Sequence, residues 1–431
     1  MTGRRLRRPV FVWGNSLAGA RRLIIARAVS ETLSMRGFRV LAALMVGLML
    51  SACGTVSREA FTAQDIGAAA PQGLSDVRFS AADPAAGLKF AQEVHDHTAG
   101  RKVNVLAISG GGSNGAYGAG ILVGWTAAGN RPDFDIVTGV STGALTAPFA
   151  YLGKDWDRRL TEAYTSDAAD RILEKRGLDL FFNPSIFRNH ALRDLVAKYV
   201  DPPLLYAIAV EHAKGRRLMI ATTNLDTEET MIWDMGAIAS RGDAAALQLF
   251  RDVLVASAAI PGVFPPILIE VEGGDRKLSE MHVDGSVTTP FFVAPETLLL
   301  SILPGRDQTG PGEVSVIVNG QIDGGFGFTK GDTLSILGRS WIAMSKAQLR
   351  THLTANAAFT RRNGGVFRYS AIPDHAKGDF SGLDFASEGR RALFTLGYDL
   401  GKSGGAWAAP ADPSAEVEGA APSPSPAAAG H

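Results

Sequence analysis

A buried-strand run that ends directly in a glycine cluster constrains this chain more than any other feature. Val103-Asn104-Val105-Leu106-Ala107-Ile108-Ser109 is short, apolar and rich in β-formers, which predicts a buried strand. Gly110-Gly111-Gly112-Ser113-Asn114-Gly115 follows at once, and the small, apolar residues from Ala116 to Trp125 read as a helix packed closely on a sheet. A second apolar run, Phe134 to Val137, then leads into Gly139-Val140-Ser141-Thr142-Gly143. That pentad is Gly-x-Ser-x-Gly at a strand-to-helix junction, where a sharp turn exposes a serine hydroxyl.

Three chemistries compete for this stretch. Gly110-x-Gly112-x-x-Gly115 fits a dinucleotide fingerprint after a strand and before a helix. That reading also needs an acidic residue at the C-terminal end of the next strand, but Asp133 and Asp135 flank its beginning and its end is Gly139-Val140-Ser141. A purely structural reading makes the glycines turn formers and leaves Ser141 idle. The third reading joins both motifs: the N–H groups of the glycine loop form an oxyanion hole, and Ser141 attacks an acyl carbonyl. It accounts for both features with one reaction and therefore leads.

With these motifs in this order the chain resembles the patatin-like phospholipase family. Ala256-Ser257-Ala258-Ala259-Ile260-Pro261-Gly262-Val263-Phe264-Pro265-Pro266 is similar to that family's Ser-x-Ala-x-Pro…Phe-Pro-Pro segment, and Val283-Asp284-Gly285-Ser286 to its aspartate motif. The resemblance covers roughly residues 101–405. It implies a Ser141–Asp284 catalytic dyad, an oxyanion hole on Gly110, Gly111 and Gly112, and lipid acyl esters as substrates. Two positions depart from the family pattern. Asn114 stands where the loop usually carries Arg or Lys, which implies a weaker oxyanion hole, and Ser286 replaces a small Gly or Ala.

Charge is distributed unevenly along the 431 residues. Residues 1–52 hold nine of the 43 basic groups and one of the 43 acids, Glu31, leaving 34 basic against 42 acidic groups and a net of −8 beyond them. That balance gives no support to nucleic-acid binding. The eleven apolar residues from Val40 to Leu50, preceded by Arg36 and Arg39, have the size of a signal-peptide core and are short for a bilayer span. Leu50-Ser51-Ala52-Cys53-Gly54 resembles a bacterial lipobox, which implies that Cys53, the sole cysteine, carries the lipid and becomes residue one. A chain without a second cysteine forms no intrachain disulfide, so export is compatible with its fold. Residues 1–34 are long and arginine-rich for a leader, and Met35 is the expected true start. Gly54, rather than Asp, implies sorting to the outer membrane, facing the periplasm.

From Thr55 to about Gly100 the chain reads as an Ala- and Gly-rich tether, with one helix over Asp83 to Ala99. His95-Asp96-His97 lacks a third ligand nearby and reads as a solvated turn rather than a metal site. Thr142 to Leu152 is expected as the helix beneath the nucleophile, its positive dipole end facing developing negative charge. Asp155 to Leu173 reads as helical. Phe181 to Phe187 is an apolar cluster, either core or the rim of a lipid access groove. Helices are predicted near Ala191–Val200, Pro203–Ala213 and Asp243–Ser257, and strands near Arg217–Thr223 and Thr230–Met235. Met281-His282-Val283 is a short strand delivering Asp284 to the Gly285 turn. Glu313–Asn319 and Gly365–Ile372 read as strands, Gly331–Ala358 and Gly389–Leu400 as helices.

Asp284 as a β-turn residue is the bland alternative; the resemblance makes it the general base paired directly with Ser141. A serine–histidine–aspartate triad would instead draw on His352 or His375, and neither has a motif around it. Gly401-Lys402-Ser403 imitates a phosphate loop but has no preceding strand and is rejected. From Ala408 the tail is Ala-, Pro- and Ser-rich and is expected to be disordered.

The fold class is therefore α/β, in the patatin-like three-layer α/β/α form with a central, mostly parallel sheet. The expected organisation is a signal peptide over residues 1–52, a lipidated N-terminus and tether over 53–100, the hydrolase domain over 101–405 and a tail over 406–431. The expected function is membrane-anchored serine acyl hydrolysis of phospholipase A or lysophospholipase type. A short-ester or thioester substrate and a catalytically weak anchored scaffold are the alternatives. Expected partners are membrane phospholipid or another acyl lipid, with membrane attachment through the anchor. No cofactor and no metal are expected, and the oligomeric state is left open.

Overall fold

The computed structural model describes residues 56–410 apart from 57, 68, 99–100, 171, 173–184, 300–310 and 379. The signal segment, Cys53, the tail beyond residue 410 and the first four residues of the Phe181–Phe187 cluster lie outside the described residues.

Among the described residues the fold is built on a nine-stranded sheet. Its strands are β1 (Arg78–Ser80), β2 (Val103–Ile108), β3 (Ile136–Val140), β4 (Arg217–Asn224), β5 (Glu229–Asp234), β6 (Ile267–Gly273), β7 (Arg276–Asp284), β8 (Pro311–Val318) and β9 (Val366–Ala371). The order is β1-β5-β4-β3-β2-β8-β9, with β7 paired to both β4 and β6. β4, β3, β2, β8 and β9 run parallel, while β1, β5, β6 and β7 pair antiparallel at one side. The helices are α1 (Ala63–Gly67), α2 (Pro84–Thr98), α3 (Gly115–Ala127), α4 (Thr142–Leu152), α5 (Asp157–Thr165), α6 (His190–Tyr199), α7 (Pro202–Ala213), α8 (Met235–Ser240), α9 (Ala244–Ser257), α10 (Thr333–Arg362) and α11 (Ser387–Ser403). No helix among the described residues is long and apolar enough to cross a membrane.

The inner parallel strands β2, β3 and β4 are buried along nearly their whole length because both of their faces are covered. Leu106 and Ile108 of β2 enter one core with residues of α3, α4, α7, α9 and α11. Val105 and Ala107 of the same strand enter a second core with Phe90 of α2 and Leu349, Leu353 and Ala357 of α10. Period-2 alternation thus feeds two helical layers from one strand, giving the α/β/α sandwich. α3 packs as closely on a helix as on the sheet. A Cβ at Gly120 would lie 2.1 Å from the carbonyl oxygen of Phe394, and one at Gly397 2.2 Å from that of Tyr117. Bare backbone on both sides lets α3 and α11 touch, and Gly401-Lys402-Ser403 is simply the last turn of α11.

Both domain edges differ from expectation. The segment expected as a tether is built into the domain over its described part: β1 pairs with β5, and Phe79 and Phe90 stack at 5.7 Å on the α10 side of the sheet. The expected helix is present as α2, but three strand residues and the five-residue α1 are too little pattern to stand out from an Ala- and Gly-rich background. His95, Asp96 and His97 fall in the last turns of α2, not in a solvated turn. At the other end, Ala408 exchanges two 2.8 Å backbone hydrogen bonds with Tyr369, and Trp407 packs on Trp125 at 4.7 Å. The domain therefore runs past residue 405, held by this backbone pairing, by buried Ala406 and by Trp407.

Candidate active site

Ser141 sits at the junction of β3 and α4 with φ 56° and ψ −125°, a left-handed backbone that a non-glycine residue holds only under constraint. The flanking glycines supply that constraint. A Cβ on Gly139 would approach the Gly143 carbonyl oxygen to 2.5 Å, and one on Gly143 the Ile108 carbonyl oxygen to 2.2 Å. The turn can close only where both positions lack side chains. The Ser141 N–H donates to Ser257 Oγ at 2.9 Å, and Ser257 Oγ donates to the Ala221 carbonyl at 2.7 Å.

The Ser141 hydroxyl donates to Asp284 Oδ2 at 2.5 Å. Asp284 ends β7, its N–H bonded to the Ala259 carbonyl at 3.0 Å, and its Oδ1 accepts the Ser286 N–H at 2.8 Å. The Ser257–Pro266 segment thus ties Ser141 and Asp284 together: Ser257 fixes the first and Ala259 the second. Ser141 is 3% exposed and Asp284 2%. Burial of the carboxylate pushes its pKa up to about 6, against the lowering effect of the hydrogen bonds from Ser141 and Ser286.

The glycine loop borders the pair. Gly111 (φ 152°) and Gly112 (φ 57°) adopt backbone that disfavours any side chain, and a Cβ on either would strike the carbonyl oxygen of Asn319 or Gly382 at 2.1 or 2.0 Å. Asn319, at the end of β8, braces the loop: its Nδ2 donates to the Ser109 carbonyl at 2.8 Å and its Oδ1 accepts the Gly118 N–H at 3.1 Å. The N–H groups of Gly111 and Gly112 have no acceptor among the described residues. Gly110 differs from its expected role, because its N–H donates to the Pro290 carbonyl at 3.2 Å. The loop therefore presents two free amides beside Ser141 rather than three. Asn114, in place of a cation, donates from Nδ2 to the Phe380 carbonyl at 3.0 Å and holds that loop over the glycines.

Neither expected alternative histidine belongs to the site. His352 packs edge-on to Phe291 with ring centroids 6.0 Å apart, and neither it nor His375 lines the cleft. His282, two residues before Asp284, has both ring nitrogens engaged, Nε2 with Glu280 at 3.0 Å and Nδ1 with Thr222 Oγ1 at 3.0 Å. Arg78 of β1 pairs with that Glu280, and Trp233 Nε1 donates to Thr222 Oγ1 at 2.8 Å. This buried polar chain locks β1, β4, β5 and β7 beside the aspartate. Among the described residues no group of His, Cys, Asp and Glu side chains could hold a metal ion.

Two cavities meet at the glycine loop. The first, about 1000 Å³ including its open mouth, has Ser141 and Asp284 in its lining and is rimmed by Trp341, Lys346 and Phe380. The second, about 590 Å³ and lined by Leu145, Phe149, Tyr164, Leu195 and Phe385, lies on the other side of Gly112 and Thr142. Only the first is lined by Ser141 and Asp284; the second is apolar and adjoins it.

A family model described as patatin-like phospholipase matches residues 106–295, a span that holds the glycine loop, Ser141 and Asp284. That family is one of lipid acyl hydrolases. Among solved structures, the crystal structure of VipD from Legionella pneumophila is similar at 14% identity, covering 71% of this chain and 67% of that chain with a TM-score of 0.35. No curated protein matches the chain.

Proposed function

We propose that this chain is a serine lipid acyl hydrolase of phospholipase A or lysophospholipase type, working through Ser141 and Asp284. The observation that carries the reading is the 2.5 Å hydrogen bond from Ser141 Oγ to a buried Asp284, beside two unpartnered loop amides. In the first step Asp284 takes the hydroxyl proton as Oγ attacks the ester carbonyl carbon. The carbonyl oxygen becomes an oxyanion held by the N–H groups of Gly111 and Gly112. Collapse expels the alcohol, which takes the proton from Asp284 and leaves an acyl-Ser141. Water, deprotonated by the same carboxylate, then releases the fatty acid. A carboxylate with its pKa near 6 is a stronger base than one at the ordinary 3.8, which suits it to this role. The test is a fluorophosphonate probe followed by peptide mapping, with phosphatidylcholine hydrolysis assayed alongside. Labelling at Ser141 together with fatty-acid release is the expected result; a protein that neither labels nor hydrolyses is a scaffold.

The apolar second cavity supports a long acyl chain as the group transferred. Leu195, half-buried on α6, lines it away from the dyad. Leu195→Trp is expected to lower turnover of a long-chain ester at least about tenfold, since each methylene excluded forfeits ~0.8 kcal/mol of burial. Hydrolysis of a butyryl ester should stay within about twofold, because a short chain never reaches that wall. Equal losses on both esters would remove the cavity from the substrate path.

The sequence also supports attachment to a membrane of the bacterial cell envelope, the outer membrane facing the periplasm, through a diacylated Cys53. Cys53→Ser is expected to abolish lipidation and leave unprocessed precursor. Detection of a diacylated mature form of that variant by mass spectrometry would refute the anchor.

A further inference from the structure

We propose that the loop carrying Phe326 and Phe328, with the exposed first half of α10, is a docking surface that inserts into an anionic lipid bilayer beside the active-site cleft. The surface stands on its own residues; that it serves catalysis rests on the lipid-hydrolase reading above.

Phe326 and Phe328 are 102% and 90% exposed, alternating with glycine in Gly324-Gly325-Phe326-Gly327-Phe328. Two aromatic rings held wholly in water are an unfavourable arrangement unless something apolar receives them. The loop is braced rather than loose: Arg339 donates to the Gly325 carbonyl at 2.5 Å, Arg350 to that of Ile322 at 3.2 Å, and Lys346 to that of Asp323. α10 continues the same apolar surface. Leu337, Trp341 and Met344 follow i, i+4, i+7 spacing along one stripe, with Ile336 beside it, and all four are exposed. Trp341 also rims the cleft that opens onto Ser141, so the stripe leads to the reacting groups.

Charge selects the occupant. Between residues 323 and 350 there are four cations, Lys330, Arg339, Lys346 and Arg350, against Asp323 and Asp332, and Asp332 caps α10 through Ser335. The chain beyond residue 52 is net negative, so this basic patch is a local reversal. Apolar tips flanked by basic side chains match the order of a bilayer edge, acyl chains beneath anionic headgroups. Two protruding rings with no groove between them suit a fluid that closes around them. A folded protein partner would have to present a pocket for each.

The test uses full-length Cys53→Ser protein carrying one new cysteine, Phe328→Cys or, as a remote control, exposed Tyr206→Cys, labelled with an environment-sensitive fluorophore. Both proteins must first retain parental hydrolysis of a soluble short ester. Mixed with vesicles of phosphatidylcholine containing about a third phosphatidylglycerol, the label at 328 should brighten and shift blue, and the control should not. The response should weaken with added salt and in pure phosphatidylcholine. A label at 328 that stays in water while the protein floats with the vesicles overturns the proposal. So does one already shielded without lipid, which means another segment of this chain covers the loop. Shielding that depends on protein concentration instead of lipid means a second copy covers it, and this too overturns the proposal. Insertion without phospholipid hydrolysis by the Ser141-intact protein would sink the phospholipid-hydrolase reading and leave this surface standing.

Discussion

Ser141→Ala and Asp284→Asn are each expected to lower ester turnover by about 10⁴-fold or more, and the double variant to be little worse than Ser141→Ala alone. The basis is that the two side chains share one proton across 2.5 Å, so neither contributes to attack without the other. Asp284→Asn is close to isosteric. Its Oδ1 can still accept the Ser286 N–H, and its amide can donate to Ser141 Oγ where the carboxylate accepted. The fold is retained and only proton acceptance is lost, so the defect reads as chemistry. Residual activity should come from the two loop amides and from binding, which the substitutions leave in place. Hydrolysis of one ester by parent, both singles and the double, each checked by circular dichroism, measures the coupling. Single effects that add in free energy would mean that Ser141 and Asp284 are not partners, whatever else the protein hydrolyses.

The parts of this site that are legible in the sequence are those whose chemistry forces a residue type. Gly139 and Gly143 are glycines because a Cβ at either position would strike backbone, and the Gly-x-Ser-x-Gly spelling carries that constraint directly. The inner parallel strands β2 and β3 are legible because burial on both faces makes them apolar runs; β4, β8 and the half-buried edge strand β9 also fall within a few residues of expectation. The helix that follows Ser141, α4, has its expected bounds, since Ser141 and Gly153 break the helical backbone at either end.

The antiparallel corner is harder to read. β7 runs from Arg276, five residues before its expected start, and its inward positions include Glu280 and His282. Buried ion pairing with Arg78 on β1, some 200 residues away, replaces the apolar alternation that would mark the strand. Its partner β6 does alternate, as Ile267, Ile269 and Val271, before a Gly273-Gly274-Asp275 turn. That hairpin signal is local and short, and without an alternating second strand it does not declare a pair. Gly110's amide cannot be separated from those of its neighbours by sequence, because its acceptor, Pro290, comes from a turn with no pattern of its own. Asn319 reads as the end of a strand, yet it braces the whole loop with both ends of its amide.

Asp284→Asn should also make the protein more stable at pH 8, by up to about 3 kcal/mol, while it destroys activity. Burial holds the Asp284 pKa at about 6 in the native state, above the ordinary 3.8 that it regains on unfolding. The native state therefore binds the proton more tightly, and the associated stability is fully present below the unfolded pKa. It is lost as pH rises from about 4 through about 6, because a charged carboxylate then sits buried with no cation against it. Asparagine carries no proton to lose, so the variant escapes that penalty at pH 8, and its advantage should vanish by about pH 4. Activity runs the opposite way. The base must be ionised, so kcat/KM of the parent should fall with unit slope as pH drops below about 6. Urea unfolding of both proteins at pH 4, 6 and 8, with the parental pH–rate profile, measures the two trends together. A variant less stable than the parent at pH 8 would identify Asp284 as a structural turn residue. A parental rate that holds level down to pH 4 would assign proton abstraction to some other group.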